Sequence, residues 1–185
     1  MKYHVKRHEV VQPSNESYRF IALNKNQTAI VDADDFEWLS RWTWTAAWNA
    51  ANKAFYAIRT KEDKITGKRH NIQMHRFILR CEVGKEVDHR NGNRLDNRRE
   101  NLRKCDRQQN SRNRGRICNN TGYKGVRLRA PGRWSAEINV GYKNKYLGVF
   151  PTPQAAARAY DEAARLYHGE FAHTNFPILS TGQRS

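Results

Sequence analysis

Asp88, His89 and Asn110 supply three kinds of side chain that phosphodiester hydrolysis can use: a carboxylate, an imidazole and an amide. Mg²⁺ prefers hard oxygen ligands and keeps several of its waters, so one carboxylate and one amide oxygen can hold it while a phosphate completes the shell. A neutral imidazole can take a proton from an attacking water at physiological pH. The sequence therefore predicts Asp88 and Asn110 as metal ligands and His89 as the general base.

Short elements of secondary structure must hold these groups in place. Val87–His89 is predicted to end a strand, because the polar turn sequence Asn91–Asn93 follows it. Asp106 and Gln109 have the spacing of a capping box, which predicts the start of a short helix. Asn110 would then lie on the first turns of that helix and face back toward the strand.

The full string D-H-x-N-G-x-x-x-D-N-x-x-x-N-L-R…N, from Asp88 to Asn110, resembles the HNH nuclease family. The last histidine of the family name is asparagine here, as in the zinc-free branch of phage and intron-encoded homing endonucleases. The resemblance implies a ββα-metal core at about residues 86–114, inside a nuclease domain of residues 1–114. It also implies one divalent metal, Mg²⁺ with Mn²⁺ as the alternative, and no structural zinc.

Three further residues are predicted to be structural parts of this site. The resemblance implies that Asn101 is the middle asparagine of the family name, which braces the loop so that His89 points correctly. Asn97 belongs to the same string and is assigned a similar structural part. His75 matches the "MHR" segment of the family, whereas a histidine beside apolar residues is more often part of a core, and both interpretations stay open.

The residues before this core predict a β-rich region. Apolar residues alternate in Tyr18–Leu23 and Thr28–Val31, which predicts a hairpin. Asp32 is expected to cap a short helix that runs through Leu39. Three aromatic residues are expected to share one side of the next strand, whose partner is Phe55–Arg59, and to pack there rather than stack on bases. They are Trp42, Trp44 and Trp48.

A second group of elements is predicted after residue 122. Tyr123–Arg129, Gly132–Ile138 and Tyr146–Phe150 have the pattern of three short strands. A helix over Pro153–His168 should follow, because Thr152 is a favourable N-cap. Small residues on one face would let this helix lie close to the sheet: Ala155, Ala156, Ala159 and Ala163.

The words GVR.R…W.AEI…LG.F.T…AA.AYD.AA…G..A.TNFP in this region resemble the Apetala-type DNA-binding domain of plant ethylene-response factors. The resemblance implies a DNA-binding domain at residues 123–177, after a basic linker at residues 115–122 and before a tail at residues 178–185. The chain departs from the plant pattern after the first strand and at Asn139, so the plant preference for a DNA site is not carried over.

Basic and aromatic residues on the outer face of this sheet are predicted to contact DNA. Arg127 and Arg129 alternate outward on one strand, and arginine forks can hydrogen-bond guanine O6 and N7 in the major groove. For these side chains the alternative is contact with phosphates alone. For Trp134 the alternative is packing at the sheet edge, and for the linker it is a solvated connector. The predicted set is Lys124, Arg127, Arg129, Arg133, Trp134, Lys145 and Tyr146, with Arg112 and Arg114 beside the linker.

The composition agrees with a nucleic-acid partner. The chain has 34 Lys and Arg against 18 Asp and Glu, a net charge of +16 that attracts polyanions. A ribosomal or membrane-surface protein is the alternative for such a charge. No apolar run approaches the roughly 20 residues that span a bilayer, and the N-terminus lacks a signal-peptide core. The three cysteines are odd in number and include no C-x-x-C pair, which argues against a disulfide framework and against a four-cysteine zinc site. A reducing compartment is therefore expected.

Together these patterns predict a metal-dependent DNA endonuclease of the α+β class. A β-rich nuclease half should precede a small three-stranded antiparallel sheet packed on one helix. The expected partner is double-stranded DNA, with no membrane and no small-molecule substrate, and a monomer is favoured. By analogy with the family, the setting is the cytoplasm of a phage-infected bacterium, and the enzyme is of the homing type. The alternatives are a DNA-binding regulator that kept the nuclease fold and an RNA-binding protein, although the chain has no RNP-type strand motif.

Overall fold

The structure, a computed structural model, describes residues 7–112 and 120–177. Short helices accompany several antiparallel sheets, so the α+β class is confirmed. The chain divides into two compact units, Met1–Arg107 and Gln108–Ser185. The predicted DNA contact Arg114, most of the linker and the tail lie outside the described residues. In the two described ranges, no helix is long and apolar enough to cross a membrane.

The first unit pairs its strands into antiparallel hairpins and one three-stranded sheet, β1 with β2, β3 with β4 and β5, and β6 with β7. The predicted hairpin before residue 32 and the predicted strand that ends at His89 are both confirmed. The elements are β1 (Tyr18–Ala22), β2 (Thr28–Asp32), α1 (Ala33–Ser40), β3 (Thr45–Asn49), β4 (Ala54–Glu62), β5 (Arg69–Gln73), α2 (Met74–Ile78), β6 (Glu86–His89), a 3₁₀ turn (Arg99–Asn101) and β7 (Leu102–Cys105), with α3 (Arg107–Arg112) after them.

One apolar core joins segments of the first unit that are far apart in the sequence. Met74 and Ile78 of α2 and Val87 of β6 are buried in the same cluster as Ile21 and Val31 of the first hairpin. Burying a side chain of this size stabilises a fold by about 1.5–3 kcal/mol. Val87 of β6 therefore shares its apolar core with residues of the N-terminal hairpin.

The tryptophans near β3 do not share one side of a strand, so that prediction is wrong. Trp44 is fully buried before β3 begins, and its Nε1 donates a hydrogen bond of 2.9 Å to the carbonyl of Leu39. Trp42 is 45% exposed with its ring 4.0 Å from the guanidinium of Arg59, and Trp48 is 52% exposed. The chain turns between α1 and β3, because the Trp42 N–H bonds the Leu39 carbonyl, and strand alternation starts only after this turn.

The second unit is a three-stranded antiparallel sheet with a helix against it, as the sequence predicts. Strand β9 lies between β8 and β10. Leu128 is 54% exposed although Val126, two residues earlier, is buried, and the pairing register shifts between Leu128 and Ala130. The elements are β8 (Val126–Ala130), β9 (Arg133–Val140), β10 (Lys143–Phe150), α4 (Pro153–His168) and a 3₁₀ turn (Gly169–Phe171).

Small residues bring α4 close to the sheet. Thr152 caps the helix as predicted, since its hydroxyl oxygen accepts a hydrogen bond of 3.2 Å from the N–H of Ala155. Gly125 has a φ of +76°, and a Cβ at this position would overlap the ring of Tyr160 on α4. The buried face is displaced slightly from the prediction, because Ala155 and Ala159 are only half-buried. Its buried alanines are Ala156, Ala157, Ala163 and Ala164.

Candidate active site and nucleic-acid interface

The hairpin of β6 and β7 fixes the predicted metal ligand, Asp88. Asp88 and Arg103 lie opposite each other in the antiparallel register, where facing side chains can interact. Arg103 donates to Asp88 Oδ2 from Nε at 2.9 Å and from Nη2 at 2.7 Å, while Arg94 Nη1 lies 3.5 Å from Oδ1. Both partners of the main pair are buried, so the carboxylate is held in one orientation. The role of Arg103 was missed, although its position in the N-L-R string was a signal.

The imidazole of His89 packs against two other rings. Its centroid lies 5.0 Å from that of His75 and 6.5 Å from that of Tyr56. Tyr56 and His75 are themselves 5.7 Å apart, and both histidines are buried. The structure therefore brings His75 into contact with His89. Tyr56 was not identified from the sequence, because nothing in its local pattern marks it.

Burial lowers the pKa of both imidazoles. Desolvation is the main cause that lowers the pKa of His89 from 6.5 to about 4, and the charge of Arg94 adds to it. The Asn97 amide acts in the opposite direction, as do nearby carboxylates, although Asn97 Oδ1 has no well-aligned hydrogen bond within the described residues. Desolvation also lowers the pKa of His75 well below 6.5. Both rings are therefore neutral at physiological pH, and a neutral imidazole can accept a proton.

Asp96 organises the loop between β6 and β7. Its carboxylate accepts a hydrogen bond of 2.9 Å from Asn91 Nδ2 and two from the guanidinium of Arg98, at 2.9 and 2.8 Å. Asn101 closes the loop, because its Nδ2 donates to the Asp96 carbonyl at 2.7 Å and its Oδ1 accepts from the Asn91 N–H at 2.9 Å. These contacts are the ones that a bracing asparagine would make.

The N-terminal hairpin anchors the same loop. The Ile30 N–H donates to the Leu95 carbonyl at 2.9 Å, and the Asn97 N–H donates to the Ile30 carbonyl at 2.7 Å. Asp32 occupies the N-cap position of α1, but the predicted side-chain cap is wrong: its Oδ2 instead accepts from the Arg99 N–H at 2.8 Å. The buried Asn97 thus keeps its place beside His89 through contacts with residues far upstream.

Asn110 and Arg112 lie on α3. The predicted helix is present, and the Asn110 side chain is half-buried. The division between the two units falls within this helix, after Arg107. The approach of Asn110 to Asp88 stays a prediction. Arg112 is the last residue of α3, and its side chain is outside the described part of the chain.

The donor types available here suit a hard cation. Within residues 7–112 and 120–177, no three His, Cys, Asp or Glu side chains are grouped to hold a metal. Mg²⁺ does not require such a group, since it keeps waters and takes phosphate oxygens beside one or two protein oxygens. Asp88 and Asn110 have the right chemistry for that. Burial raises the pKa of the Cys105 thiol to about 12, so this thiol is protonated at physiological pH.

The two arginines predicted to read bases share one carboxylate. Arg129 hydrogen-bonds Glu137 through Nη2 and donates from Nε to the hydroxyl of Ser135 at 2.9 Å. Arg127 Nε lies 3.9 Å from the other oxygen of Glu137. Both guanidinium side chains remain more than half exposed, at 67% for Arg127 and 51% for Arg129. Glu137 therefore holds two accessible arginines side by side.

Three more of the predicted DNA contacts are exposed on this sheet. Arg133 begins β9, and Lys145 and Tyr146 lie on β10. Lys145 pairs with buried Ile138, and its Nζ lies 4.5 Å from the ring centroid of Tyr167 on α4, so it is on the helix side of the sheet and not on the predicted outer face. These positions are accessible to a polyanion.

Trp134 and Lys124 are less accessible. Trp134 is half-buried and packs against the apolar core of the unit. Lys124 is half-buried near Asp161, and desolvation lowers the pKa of its ammonium to about 8 while Asp161 acts in the opposite direction. The geometry gives both residues a structural part in the unit.

Two kinds of known protein resemble this chain. Residues 74–112 match the HNH endonuclease family. Ethylene-responsive transcription factor ERF010 of Arabidopsis thaliana is 47% identical over 64 residues, which cover 34% of this chain and 35% of that protein. The AP2/ERF and B3 domain-containing protein Os01g0141000 of Oryza sativa subsp. japonica is 53% identical over 55 residues, covering 30% and 15%. Dehydration-responsive element-binding protein 2A of Oryza sativa subsp. indica is 47% identical over 68 residues, covering 36% and 25%.

These matches support both resemblances seen in the sequence, to HNH endonucleases and to AP2/ERF-type DNA-binding proteins. The chain spans only about a third or less of the length of these relatives, between 15% and 35%. The phage or intron origin stays a prediction.

Proposed function

We propose that the chain is a metal-dependent endonuclease that cuts double-stranded DNA and docks on it through its C-terminal sheet. The observation that carries the proposal is the buried pair of Asp88 and Arg103, which fixes a carboxylate next to the neutral His89. Burying charged groups costs several kcal/mol per ion, and desolvated titratable groups cluster at catalytic sites. The HNH endonuclease match over residues 74–112 supports the same chemistry.

His89 acts as the general base in this proposal. Its neutral ring offers a lone pair that takes the proton of the attacking water. His75 and Tyr56 pack against the ring and restrict its plane, while Asn97 and Asn101 hold the loop beside it. These four are positioning residues. A phosphate anion near the ring would raise the pKa of His89 toward physiological pH and so favour proton transfer.

Asp88 and Asn110 would hold the cation, Mg²⁺ or alternatively Mn²⁺. When bound, such an ion supplies charge stabilisation at the scissile phosphate and the departing oxygen. Arg103 keeps the Asp88 carboxylate in position. In-line attack of water on phosphorus would break the bond to the 3′ oxygen and pass the proton of that water to His89. The departing 3′ oxygen would take a proton from solvent, so the products would carry a 5′ phosphate and a 3′ hydroxyl.

The C-terminal sheet would bind duplex DNA in the major groove. Arg127 and Arg129 are held side by side by Glu137 and can approach guanine edges together. Arg133 and Lys145 would contact phosphates, which position a protein without reading sequence. The name of one relative, dehydration-responsive element-binding protein 2A, supports DNA as the partner of this sheet.

Plasmid nicking tests the enzymatic part. The full chain should convert supercoiled plasmid to the nicked form with Mg²⁺ and not with EDTA. His89→Ala should lower the rate by about 10²–10⁴-fold, because the general base is lost. DNA binding should be unchanged, because the substitution removes no phosphate contact. His70→Ala changes an exposed histidine of β5 and serves as the matched control, which should cut normally. Near-normal nicking by His89→Ala would contradict the assignment.

A DNA-binding regulator without nuclease activity is the second candidate. It is favoured by the name of the relative ERF010, which is a transcription factor. In this case the chain would bind plasmid but not nick it with Mg²⁺ or Mn²⁺, and His89→Ala would behave like the unchanged protein in every assay.

A further inference from the structure

A cleft in the first unit lies beside the two histidines. Its volume is about 1010 Å³, and it is bordered by the sheet of β3 to β5, by α2 and by the turn that follows α2. Tyr56 lines the cleft, and the same ring contacts His75 at 5.7 Å and His89 at 6.5 Å between centroids. The side chain of Tyr56 therefore both lines the cleft and contacts the candidate general base, His89.

The lining combines aromatic rings, amides and cations. Trp48, near the end of β3, is 52% exposed, and its ring meets that of Phe55 edge-on at 5.0 Å between centroids. Among the described residues that border the cleft there is no aspartate or glutamate. The polar and charged lining residues are Asn49, Asn71, Gln73, Arg76, Arg80 and Arg99. This mixture is suited to a polyanion that also presents flat rings and hydrogen-bonding edges.

Two arginines give the cleft its net positive charge. Arg76 is held by backbone carbonyls, with Nη1 2.6 Å from the Lys85 oxygen and Nη2 3.1 Å from the Glu82 oxygen. Because carbonyls orient a guanidinium without cancelling its charge, Arg76 remains an effective cation. Arg80 is exposed at the turn after α2. Arg99, by contrast, is neutralised by an ion pair with Asp35 at 2.8 Å.

We propose that this cleft binds an unpaired stretch of the DNA strand next to the scissile phosphate, an inference that rests on the nuclease function proposed above. Aromatic rings stack on unpaired bases of any sequence, and a basic groove follows the backbone between them. Bases inside a duplex are covered on both faces by their neighbours, so an exposed Trp48 ring suits a single strand. The amides can hydrogen-bond the base edges that loss of pairing uncovers.

The test measures binding of a fluorescein-labelled single-stranded oligothymidylate to the full chain carrying His89→Ala. Trp48→Leu should weaken binding about tenfold, because stacking of a single base makes a contribution of this order. Trp42→Leu changes the other exposed tryptophan near β3, which does not line the cleft, and should have no effect. Arg80→Gln should lower the slope of log affinity against log salt by about 0.7, the value for one phosphate of a single strand. Arg41→Gln is its matched control, an exposed arginine outside the lining.

Loss of affinity in both tryptophan variants alike, or in neither, would overturn the proposal. So would an equal loss on a fully paired duplex, which would mean that this face takes duplex DNA. The measurement does not depend on cleavage. If the chain binds the oligothymidylate through Trp48 but never nicks plasmid, the proposal for the cleft is supported and the nuclease function is contradicted. If it nicks plasmid without Trp48-dependent binding, the nuclease function is supported and the proposal for the cleft is contradicted.

Discussion

The two units differ in what they bury. The first unit encloses Asp88, His89 and Asn97 completely, whereas the second exposes its arginines Arg127 and Arg129 on a sheet surface. A buried charge costs several kcal/mol unless it is paired, and desolvated titratable groups cluster at catalytic sites. Exposed arginines cost little and can exchange water and counterions for phosphates. The difference supports the proposal that cutting and docking belong to separate parts of the chain.

The buried carboxylate of the second unit, Asp161, makes the contrast clearer. It accepts hydrogen bonds from the Asn175 N–H at 2.7 Å, from Asn175 Nδ2 at 3.0 Å and from the Phe176 N–H at 2.9 Å. All of these partners belong to the segment that follows α4. Asp161 therefore fastens the end of the unit to its helix, while Asp88 faces an arginine and lies next to an imidazole.

The largest expected effect comes from Asp88. Asp88→Asn keeps the shape of the side chain but removes its charge, so cleavage at saturating Mg²⁺ should fall about 10³-fold, since a bound metal contributes several kcal/mol. Asn110→Ala should cost less, because it removes a neutral oxygen. Calorimetric titration of Mn²⁺ into the DNA complex should show the same order of loss. Asp63→Asn, in an exposed turn, is the control for the change of charge. Unchanged Mn²⁺ affinity in Asp88→Asn would separate this residue from the metal.

Acid should destabilise the first unit more than the second. The pKa values of His75 and His89 in the folded chain lie below 6.5, so the unfolded chain binds more protons as the pH falls under that value. The free energy of unfolding of the first unit should therefore be highest above pH 6.5 and should fall progressively toward pH 4. The lowering of the His89 pKa to about 4 corresponds to about 3 kcal/mol. His173 of the second unit also has a pKa lowered by desolvation, but it is only half-buried, so its effect should be smaller.

Hydrogen exchange followed by mass spectrometry can measure this difference unit by unit, at pH 7 and pH 5 in EDTA. The first unit should lose protection at the lower pH, and His75→Gln should reduce the loss because one titrating ring is removed. Equal loss of protection in both units would mean that the buried histidines do not control acid stability.

Arginines and lysines of the sheet should separate into two kinds, with smaller effects. Arg127→Ala or Arg129→Ala should cost about 1–3 kcal/mol on the preferred duplex and relax the preference for it. Lys145→Ala should weaken binding to all duplexes alike and lower the salt slope by about one, because it removes a phosphate contact. Binding of each variant to preferred and scrambled duplexes over a salt series distinguishes these outcomes. Equal losses on both duplexes for every variant would make the sheet a sequence-independent anchor.

Local structure was predictable from the sequence because local contacts determine it. Turn residues set the first hairpin, and Asn91–Asn93 ends the strand that carries His89. Thr152 begins α4 because its hydroxyl reaches an N–H three residues later. The Asn101 side chain hydrogen-bonds residues no more than ten positions away, so a motif could indicate its place.

The contacts that depend on tertiary packing were not predictable. Arg103 meets Asp88 only through the register of β6 and β7, and Tyr56 reaches His89 from a different sheet. Asp32 has the right position to cap α1, yet its carboxylate is used by the backbone of Arg99, 67 residues later. Helix-cap preference could not predict this use, because the competing donor is far away in the sequence.

The most direct test of the division between the units measures binding and single-turnover cleavage of one duplex by two variants of the full chain. His89→Ala should bind like the unchanged protein and fail to cut. Arg127→Ala should bind more weakly but cut at the normal rate once enough protein is added to saturate the duplex. If Arg127→Ala stayed slow at saturation, or if His89→Ala lost as much affinity as rate, cutting and docking would not be separate functions of the two units.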